Sequence, residues 1–293
     1  MDKRQIKSKY KGIVFIILSA FCFAFMGFFV RLAGDIPSVQ KAFFRNLVSL
    51  AVALFVLLKN RTEWKIGKGN LKYLFLRAAC GTVGIFCNFY AVDKIDLADA
   101  AMLNKMSPFF VIIFSFFLLK EKVSLKQAAL VLTAFIGSLF VIKPSFSNVE
   151  LVPALVGLLG GVGAGAAYSF VRLLNKRGVA GPMIVFFFSA FSCVICIPYL
   201  IFGYESMSAV QLFCLLGAGV SAAGGQFAIT AAYSYAPGRE ISVYDYSQII
   251  FSAVLGLIFF EQIPDVFSFI GYFIIISAAV LMFIQNNKKK TAK

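Results

Sequence analysis

The sequence has 293 residues, of which 60% are hydrophobic and 14% are charged, and its mean hydropathy is +0.88. Since a soluble domain is about half apolar and about a quarter charged, this composition excludes an ordinary water-soluble fold. The formal net charge of +15 does not indicate nucleic-acid binding, because the basic residues lie at the ends of apolar segments, where they orient a membrane protein.

Ten segments are long and apolar enough for helices that cross the bilayer, each of which needs about 20 such residues. They cover approximately residues 12–33, 36–58, 72–92, 98–119, 125–142, 153–175, 182–203, 209–235, 239–260 and 266–285. The first segment lacks a cleavage site of small residues, so we expect a retained helix and not a signal peptide. The connections are too short to hold a soluble domain.

The basic residues predict the orientation of these helices. If the N-terminus lies in the cytoplasm, the cytoplasmic segments hold twenty lysines and arginines and the opposite loops hold only Lys94 and Lys143. Cytoplasmic loops are enriched in basic residues. We therefore expect a multi-pass protein of the cytoplasmic membrane with both termini in the cytoplasm.

Six basic residues are left inside the predicted spans, whereas among the acids only Asp245 lies well inside one. The six are Arg31, Lys41, Arg45, Arg77, Lys105 and Arg172. Ionisable side chains inside a membrane are costly and usually serve a function. This excess of cations is the main indication of where a site lies.

The two halves of the chain resemble each other. A shift of 140 residues places Lys105 on Asp245 and Glu121 on Glu261, and a shift of 141 places Arg31 on Arg172. Because each half would hold five helices, an odd number, the second half must be inserted upside down. Inverted repeats are typical of transporters that expose a central site alternately to the two sides.

The chain resembles the drug/metabolite transporter superfamily, specifically its EamA-type members with ten helices. The resemblance lies in Ala42-Phe43-Phe44-Arg45, in the stretch from Leu97 to Lys122, in the glycine-rich helix that leads to Tyr168, and in Glu261. It implies an all-α integral membrane fold in which residues 1–143 and 144–293 form a 5+5 inverted repeat around a central cavity. It also implies transport of a metabolite, without naming the solute, and the buried cations disfavour a cationic one.

Lys105 and Asp245 are the first candidates for the substrate site, because both would lie near the middle of the membrane. A charge there costs at least about 2.5–3.5 kcal/mol. A structural ion pair between the halves is the alternative explanation. Pro108 predicts a kink beside Lys105, since proline removes a backbone hydrogen bond. Asp245, as the sole deeply buried carboxylate that we predict, is also the candidate proton carrier if transport is coupled to protons.

Lys41 and Arg45 are four residues apart and share one face of the second helix. Two fixed cations on one face suit a carboxylate or a phosphate, which arginine can bind with two parallel hydrogen bonds. The alternative for Lys41 is that its side chain reaches the membrane surface. We expect the same of Arg31, Arg77 and Arg172.

Polar side chains next to these ions are candidates for lining the cavity. Asn104, Tyr244 and Gln248 are neighbours of Lys105 or Asp245 in the sequence, and Tyr168 is a further polar group inside a span.

The function predicted is secondary transport of a small organic solute that is anionic or zwitterionic. An exporter of amino acids or drugs, whose buried charges are paired and silent, is the alternative. A membrane-embedded enzyme is disfavoured because the sequence has no histidine and no evident nucleophile with a base. We expect no cofactor and no nucleic acid, so the partners are the solute, the lipid bilayer and, if coupled, protons.

Overall fold

The computed structural model describes residues 3–61, 66–67, 69–119, 124–142, 151–236 and 241–291. The predicted loop residues Glu121, Lys143 and Arg239 lie outside these ranges. Throughout the described ranges the regular structure is helical, as hydrocarbon requires, because a helix satisfies its own backbone hydrogen bonds.

Eleven α-helices and one 3-10 helix make up the described part of the chain. They are α1 Lys3–Leu32, α2 Ser38–Lys59, α3 Leu71–Lys94, α4 Leu97–Asn104, α5 Ser107–Leu119, α6 Leu125–Ile142, α7 Leu151–Lys176, α8 Gly181–Gly203, α9 Ala209–Tyr235, the 3-10 helix Ser242–Tyr246, α10 Ser247–Phe260 and α11 Val266–Thr291.

Seven of the predicted spans are long and apolar enough in the described residues to cross a membrane. They are α1, α2, α3, α4 taken together with α5, α7, α8 and α9. Three shorter apolar helices, Ala128–Gly137, Tyr244–Phe260 and Val266–Met282, occupy the other three predicted positions. Large apolar side chains such as Phe117 and Phe273 are about 70% exposed on the helices, as expected of surfaces that face lipid.

The predicted fourth span is not one continuous helix. It ends as α4 at Asn104 and begins again as α5 at Ser107, beside Pro108, whose ring and missing N–H interrupt the backbone ladder. Asp245 lies in the 3-10 helix that precedes α10. The two positions that the 140-residue shift aligns, Lys105 and Asp245, therefore both lie where a helix departs from regular α geometry.

Helices pair across the two halves of the chain. Helix α1 packs on α9, α3 on α7, α2 on α8, α6 on α11, and α4 on α10. The α3–α7 contact is close enough for backbones to touch, since a Cβ added at Gly163 would lie 2.9 Å from the Cys80 carbonyl oxygen. Small residues permit such contacts between membrane helices.

Arg31 and Arg172 perform matching tasks in this packing. The Arg31 side chain donates to the carbonyl oxygens of Val92 and Ile95, at 3.1 and 2.7 Å. Arg172 donates to those of Tyr233 and Ala236, at 3.4 and 3.3 Å. Both side chains therefore bind the open carbonyl groups at the ends of α3 and α9, and their reach to the membrane surface stays a prediction.

Candidate functional site

Lys105 and Asp245 form an ion pair between the two halves. The Lys105 Nζ lies 2.8 Å from Asp245 Oδ2, and both side chains are almost fully buried. The irregular backbone at both positions aims the two side chains at each other across the contact between α4 and the segment that leads into α10. The cation is therefore neutralised by a carboxylate, and Asp245 Oδ1 has no hydrogen-bond partner within the described part of the chain.

Lys41 also has a carboxylate partner. Its Nζ lies 2.6 Å from Asp93 Oδ1 near the end of α3, and Ser38 Oγ donates to the other carboxylate oxygen at 3.3 Å. The Lys41 side chain does not extend to the surface, because it is fully buried. The predicted anion site of Lys41 with Arg45 is not formed, because Asp93 satisfies the lysine.

Arg45 has a neutral partner. Its guanidinium is buried and donates to the Asn46 side-chain oxygen. Asn46 is held in turn, because its Nδ2 donates to Ser192 Oγ on α8 and to the Ala42 carbonyl oxygen, both at 2.8 Å. The described ranges contain no hydrogen-bond acceptor for the Arg45 Nε.

Arg77 is the largest departure from prediction. It is 1% exposed and does not reach the surface, because α8 and α9 cover it. Its Nη2 donates to Gln226 Oε1 at 2.8 Å, and its guanidinium lies 3.7 Å from the centre of the Phe188 ring. Among the described residues, the Arg77 Nε and Nη1 have no hydrogen-bond partner. Gly81 makes room for this arrangement, since a Cβ there would lie 2.7 Å from Arg77 Nη1.

The two arginines line one cavity between the halves. Its volume is about 50 Å³, and its polar lining comprises Arg45, Arg77, Asn88, Asn104, Tyr168, Gln226 and Gln248. Among the described residues, the charged side chains that line this cavity are those of Arg45 and Arg77. The cavity therefore presents positive charge and neutral polar groups.

Three of the four predicted polar lining residues are found there. Asn104, Tyr168 and Gln248 face the cavity, whereas Tyr244 packs against a separate apolar cluster that includes Ile16 and Ile241. Tyr244 was selected because it precedes Asp245, but consecutive residues of a 3-10 helix point in directions about 120° apart.

One buried acid was not predicted from the sequence. Asp99, near the start of α4, is 7% exposed, so Asp245 is not the sole deeply buried carboxylate. Asp99 accepts hydrogen bonds from Tyr272 at 2.8 Å and Ser268 at 3.3 Å, both on α11. Its nearness to the predicted end of a span made it look like a surface residue. It fastens α4 to α11 and does not line the cavity.

Within the described ranges, no group of three His, Cys, Asp or Glu residues is arranged to hold a metal ion. The six cysteines are all free thiols inside helices.

Several proteins are similar to this chain over most of its length. The pseudopaline exporter CntI of Pseudomonas aeruginosa (strain UCBPP-PA14) is 31% identical over 273 residues, which cover 92% of this chain and 95% of that protein. Solute carrier family 35 member G1 of Homo sapiens is 26% identical over 295 residues, covering 94% and 81%. The riboflavin transporter of Brucella anthropi is 27% identical over 268 residues, covering 86% and 90%.

A solved crystal structure with 16% sequence identity shares the fold, with a TM-score of 0.70 over 95% of this chain and 98% of the other. The pattern of the EamA-like transporter family matches the sequence twice, over residues 10–143 and 152–284. This double match, together with relatives that are named as transporters, indicates a transporter and not an enzyme. The chain belongs to the EamA-like transporter family.

Proposed function

We propose that this protein is a secondary transporter that moves a small organic metabolite across the cytoplasmic membrane by alternating access. The two halves, residues 1–143 and 144–293, would each supply five helices in opposite orientation, with both chain termini in the cytoplasm. The repeated family match, the pairing of helices across the halves and the matching tasks of Arg31 and Arg172 support this arrangement. Such repeats can exchange conformations around a central site.

The solute proposed is anionic or zwitterionic. The observation behind it is that Arg45 and Arg77, both buried, face one cavity with neutral hydrogen-bond partners. An uncompensated charge in a medium of low dielectric constant is costly. A solute with a negative group would remove that cost when it binds, and binding would therefore favour such a solute over a cation.

The Lys105–Asp245 pair is proposed as the element that responds to protons. It joins the irregular segments of both halves, and a proton taken up by Asp245 would release Lys105 and weaken the contact. Proton-coupled uptake or export would then require Asp245. Replacement of Asp245 by Asn should make solute movement in proteoliposomes independent of an imposed proton gradient.

An exporter with silent, paired charges is the competing proposal, and one observation favours it. Lys105 and Lys41 are both paired with carboxylates, as that proposal requires. It leaves Arg45 and Arg77 unexplained, because neither has an acidic partner among the described residues. The relatives do not decide the matter, since one is named as a pseudopaline exporter and another as a riboflavin transporter.

The test begins with a screen of metabolites for thermal stabilisation of the purified full-length protein, because a ligand of the folded state raises its melting temperature. Each stabilising compound is then followed in proteoliposomes. We expect Arg45→Ala and Lys105→Ala to abolish uptake. Because Lys105→Ala leaves Asp245 buried without its cation and lowers stability, uptake is compared per amount of folded protein that elutes as a single species. Lys94→Gln, at the exposed end of α3, is the control and should retain uptake. Normal transport by both alanine variants would refute the site.

A further inference from the structure

The deeply buried cations of this protein fall into two classes, which differ in whether a carboxylate neutralises their charge. Lys41 and Lys105 each contact a carboxylate at 2.6 and 2.8 Å. Arg45 and Arg77 are equally buried but are held by the side-chain amides of Asn46 and Gln226. An amide oxygen orients a guanidinium without cancelling its charge. Two positive charges therefore remain at the cavity.

The two guanidinium groups lie together. Both approach the same aromatic ring, with guanidinium carbons 5.6 Å (Arg45) and 3.7 Å (Arg77) from the centre of Phe188. Their separation therefore cannot exceed the sum of these two distances. Since like charges repel, this arrangement is stabilised by the neutral amides and the π face of Phe188, and further by any anion placed between them.

The N–H groups that lack partners belong to the same two side chains. Arg45 Nε, Arg77 Nε and Arg77 Nη1 are buried donors that find no acceptor in the part of the chain that the structure describes, although buried donors in proteins are nearly always satisfied. Each is a donor suited to a charge-assisted bond with an oxyanion. The cavity volume of about 50 Å³ is small beside the roughly 300–1,000 Å³ of pockets that enclose a whole ligand, and it suits one compact charged group.

We propose that Arg45 and Arg77 form one subsite for an oxyanionic group that carries two negative charges, either a phosphate or two adjacent carboxylates of the solute. This proposal rests on the proposed transport function and specifies the solute class for its cavity. A lone carboxylate would neutralise one arginine and leave the other uncompensated. The remainder of the solute would lie against the neutral groups Asn88, Asn104, Tyr168 and Gln248 when the cavity opens.

The first test uses the wild-type full-length protein and simple anions at constant ionic strength. Inorganic phosphate at mildly alkaline pH and succinate carry two charges, whereas acetate and glycine are the singly charged and zwitterionic probes. We expect phosphate or succinate to raise the melting temperature in a saturable way, and acetate and glycine to have no more effect than chloride. The comparison of phosphate with succinate distinguishes the two forms of the group. Equal stabilisation by acetate or glycine would overturn the proposal.

Variants locate the binding. Arg45→Gln and Arg77→Gln should each weaken binding of the effective dianion by about tenfold to a hundredfold, the value of one charge-assisted contact. Gly81→Ala keeps both charges but directs a methyl group at Arg77 Nη1 and at Phe188 Cε2, 2.9 Å away. It should weaken binding while leaving the charge unchanged. Lys94→Gln is the matched removal of an exposed charge and should bind as the wild type does.

The outcomes separate this proposal from transport itself. If a solute found in the metabolite screen is transported, and neither dianions nor the arginine variants affect its uptake, the subsite is refuted and the transport function stands. If dianions bind as expected but no solute crosses the membrane in proteoliposomes, the transport function fails and the subsite stands. Where an arginine variant does not fold, the wild-type selectivity among the four probes decides.

Discussion

The buried lysines and the buried arginines of this protein have different kinds of partner. The compact ammonium groups of Lys41 and Lys105 are each matched by one carboxylate, whereas the planar guanidinium groups of Arg45 and Arg77 bind an amide with one edge and keep other N–H groups open. Arginine stays charged where lysine can lose its proton, and it can bind an oxyanion with two parallel bonds. Exchange of Arg45 or Arg77 for lysine is therefore not conservative.

Removal of one member of the Lys105–Asp245 pair should destabilise the protein strongly. Lys105→Met leaves the Asp245 carboxylate buried without its cation, and breaking a buried pair in this way costs about 3–5 kcal/mol. The double variant Lys105→Met with Asp245→Asn removes both charges and should regain most of the stability. Thermal unfolding in detergent measures both effects.

Transport by the same double variant separates structure from function at this pair. A stable double variant that does not transport assigns a functional role to the two charges. A stable double variant with wild-type uptake would show that the pair only joins the halves. If Lys105→Met is as stable as the wild type, the ion pair does not contribute to the stability of the fold, contrary to what its geometry indicates.

At the residue scale, the sequence predicted that Lys105 and Asp245 are buried, whereas it did not predict the burial of Arg77; the role of Lys105 and Asp245 in a substrate site stays a prediction. Lys105 and Asp245 were identified because burial and the internal repeat both selected them. Arg77 lies six positions after the start of α3 at Leu71, so its distance from a helix end suggested surface reach. Its burial comes from Phe188 and Gln226 on α8 and α9, contacts between distant parts of the chain that local spacing does not contain.

At the scale of the elements, side chains of one helix cap the C-terminal end of another. Arg31 of α1 donates to the terminal carbonyl groups of α3, and Arg172 of α7 donates to those of α9. Helix ends leave four carbonyl groups without intrahelical partners. A cation at the C-terminus also complements the helix dipole.

Because the tasks match, Arg31→Gln and Arg172→Gln should lower stability to a similar extent. The expected loss is about 1–3 kcal/mol for each, the value of hydrogen bonds to a charged donor. Thermal unfolding in detergent gives the comparison, with Lys94→Gln as a control that should change it little. A large loss for one arginine and none for the other would contradict the equivalence of the two positions.

A tight contact between α7 and the broken fourth span yields a second prediction for the elements. A Cβ added at Gly165 would overlap Phe110 Cβ and lie 2.9 Å from the Ser107 carbonyl oxygen. Neither atom can move without moving the backbone of α5, and overpacking of this kind costs about 1–3 kcal/mol. Gly165→Ala should therefore lower the melting temperature and disturb the break between α4 and α5.

The matched control is Gly224→Ala in α9, where the added methyl group meets only the Cys22 side chain, with the sulfur at 3.1 Å. This change should be tolerated, since alanine favours a helix over glycine by about 1 kcal/mol. Equal destabilisation by both variants would show that the close α5–α7 contact is not what Gly165 provides.

The two irregular segments were unequally visible in the sequence. Pro108 predicted an interruption beside Lys105, and the helix does end and restart there. The 3-10 helix Ser242–Tyr246 holds Asp245, and no proline or glycine lies within it. Its geometry depends on packing against α1 and α11, which periodicity cannot reveal.

At the scale of the whole molecule, composition was sufficient to predict a helical membrane protein, whereas the ten-helix inverted repeat stays a prediction. Hydropathy alone identified the apolar helices, of which seven are long enough to cross a membrane in the described part of the chain. The partners of each helix could not be derived from hydropathy, because one apolar helix resembles another. The pairing of α1 with α9 and of α3 with α7 depends on small residues and polar contacts that act only once the helices meet.

The proposed orientation has a direct test. Reporter domains that are active only in the cytoplasm, fused to the N-terminus or to the C-terminus of the full chain, should both be active. A fusion within the segment 143–150, between the halves, should be inactive, because five predicted membrane spans precede it. Activity at only one terminus would contradict an even number of spans and with it the inverted repeat.

Because the buried lysines are paired with carboxylates and the buried arginines are not, the membrane potential would act on this protein mainly through the arginines. With Lys41 and Lys105 neutralised, the empty cavity holds the two charges of Arg45 and Arg77. Moving one elementary charge across the full field at 100 mV involves about 2.3 kcal/mol. A doubly charged guest would make the loaded centre electrically neutral, so voltage would bias the return of the empty carrier and leave the loaded step nearly untouched.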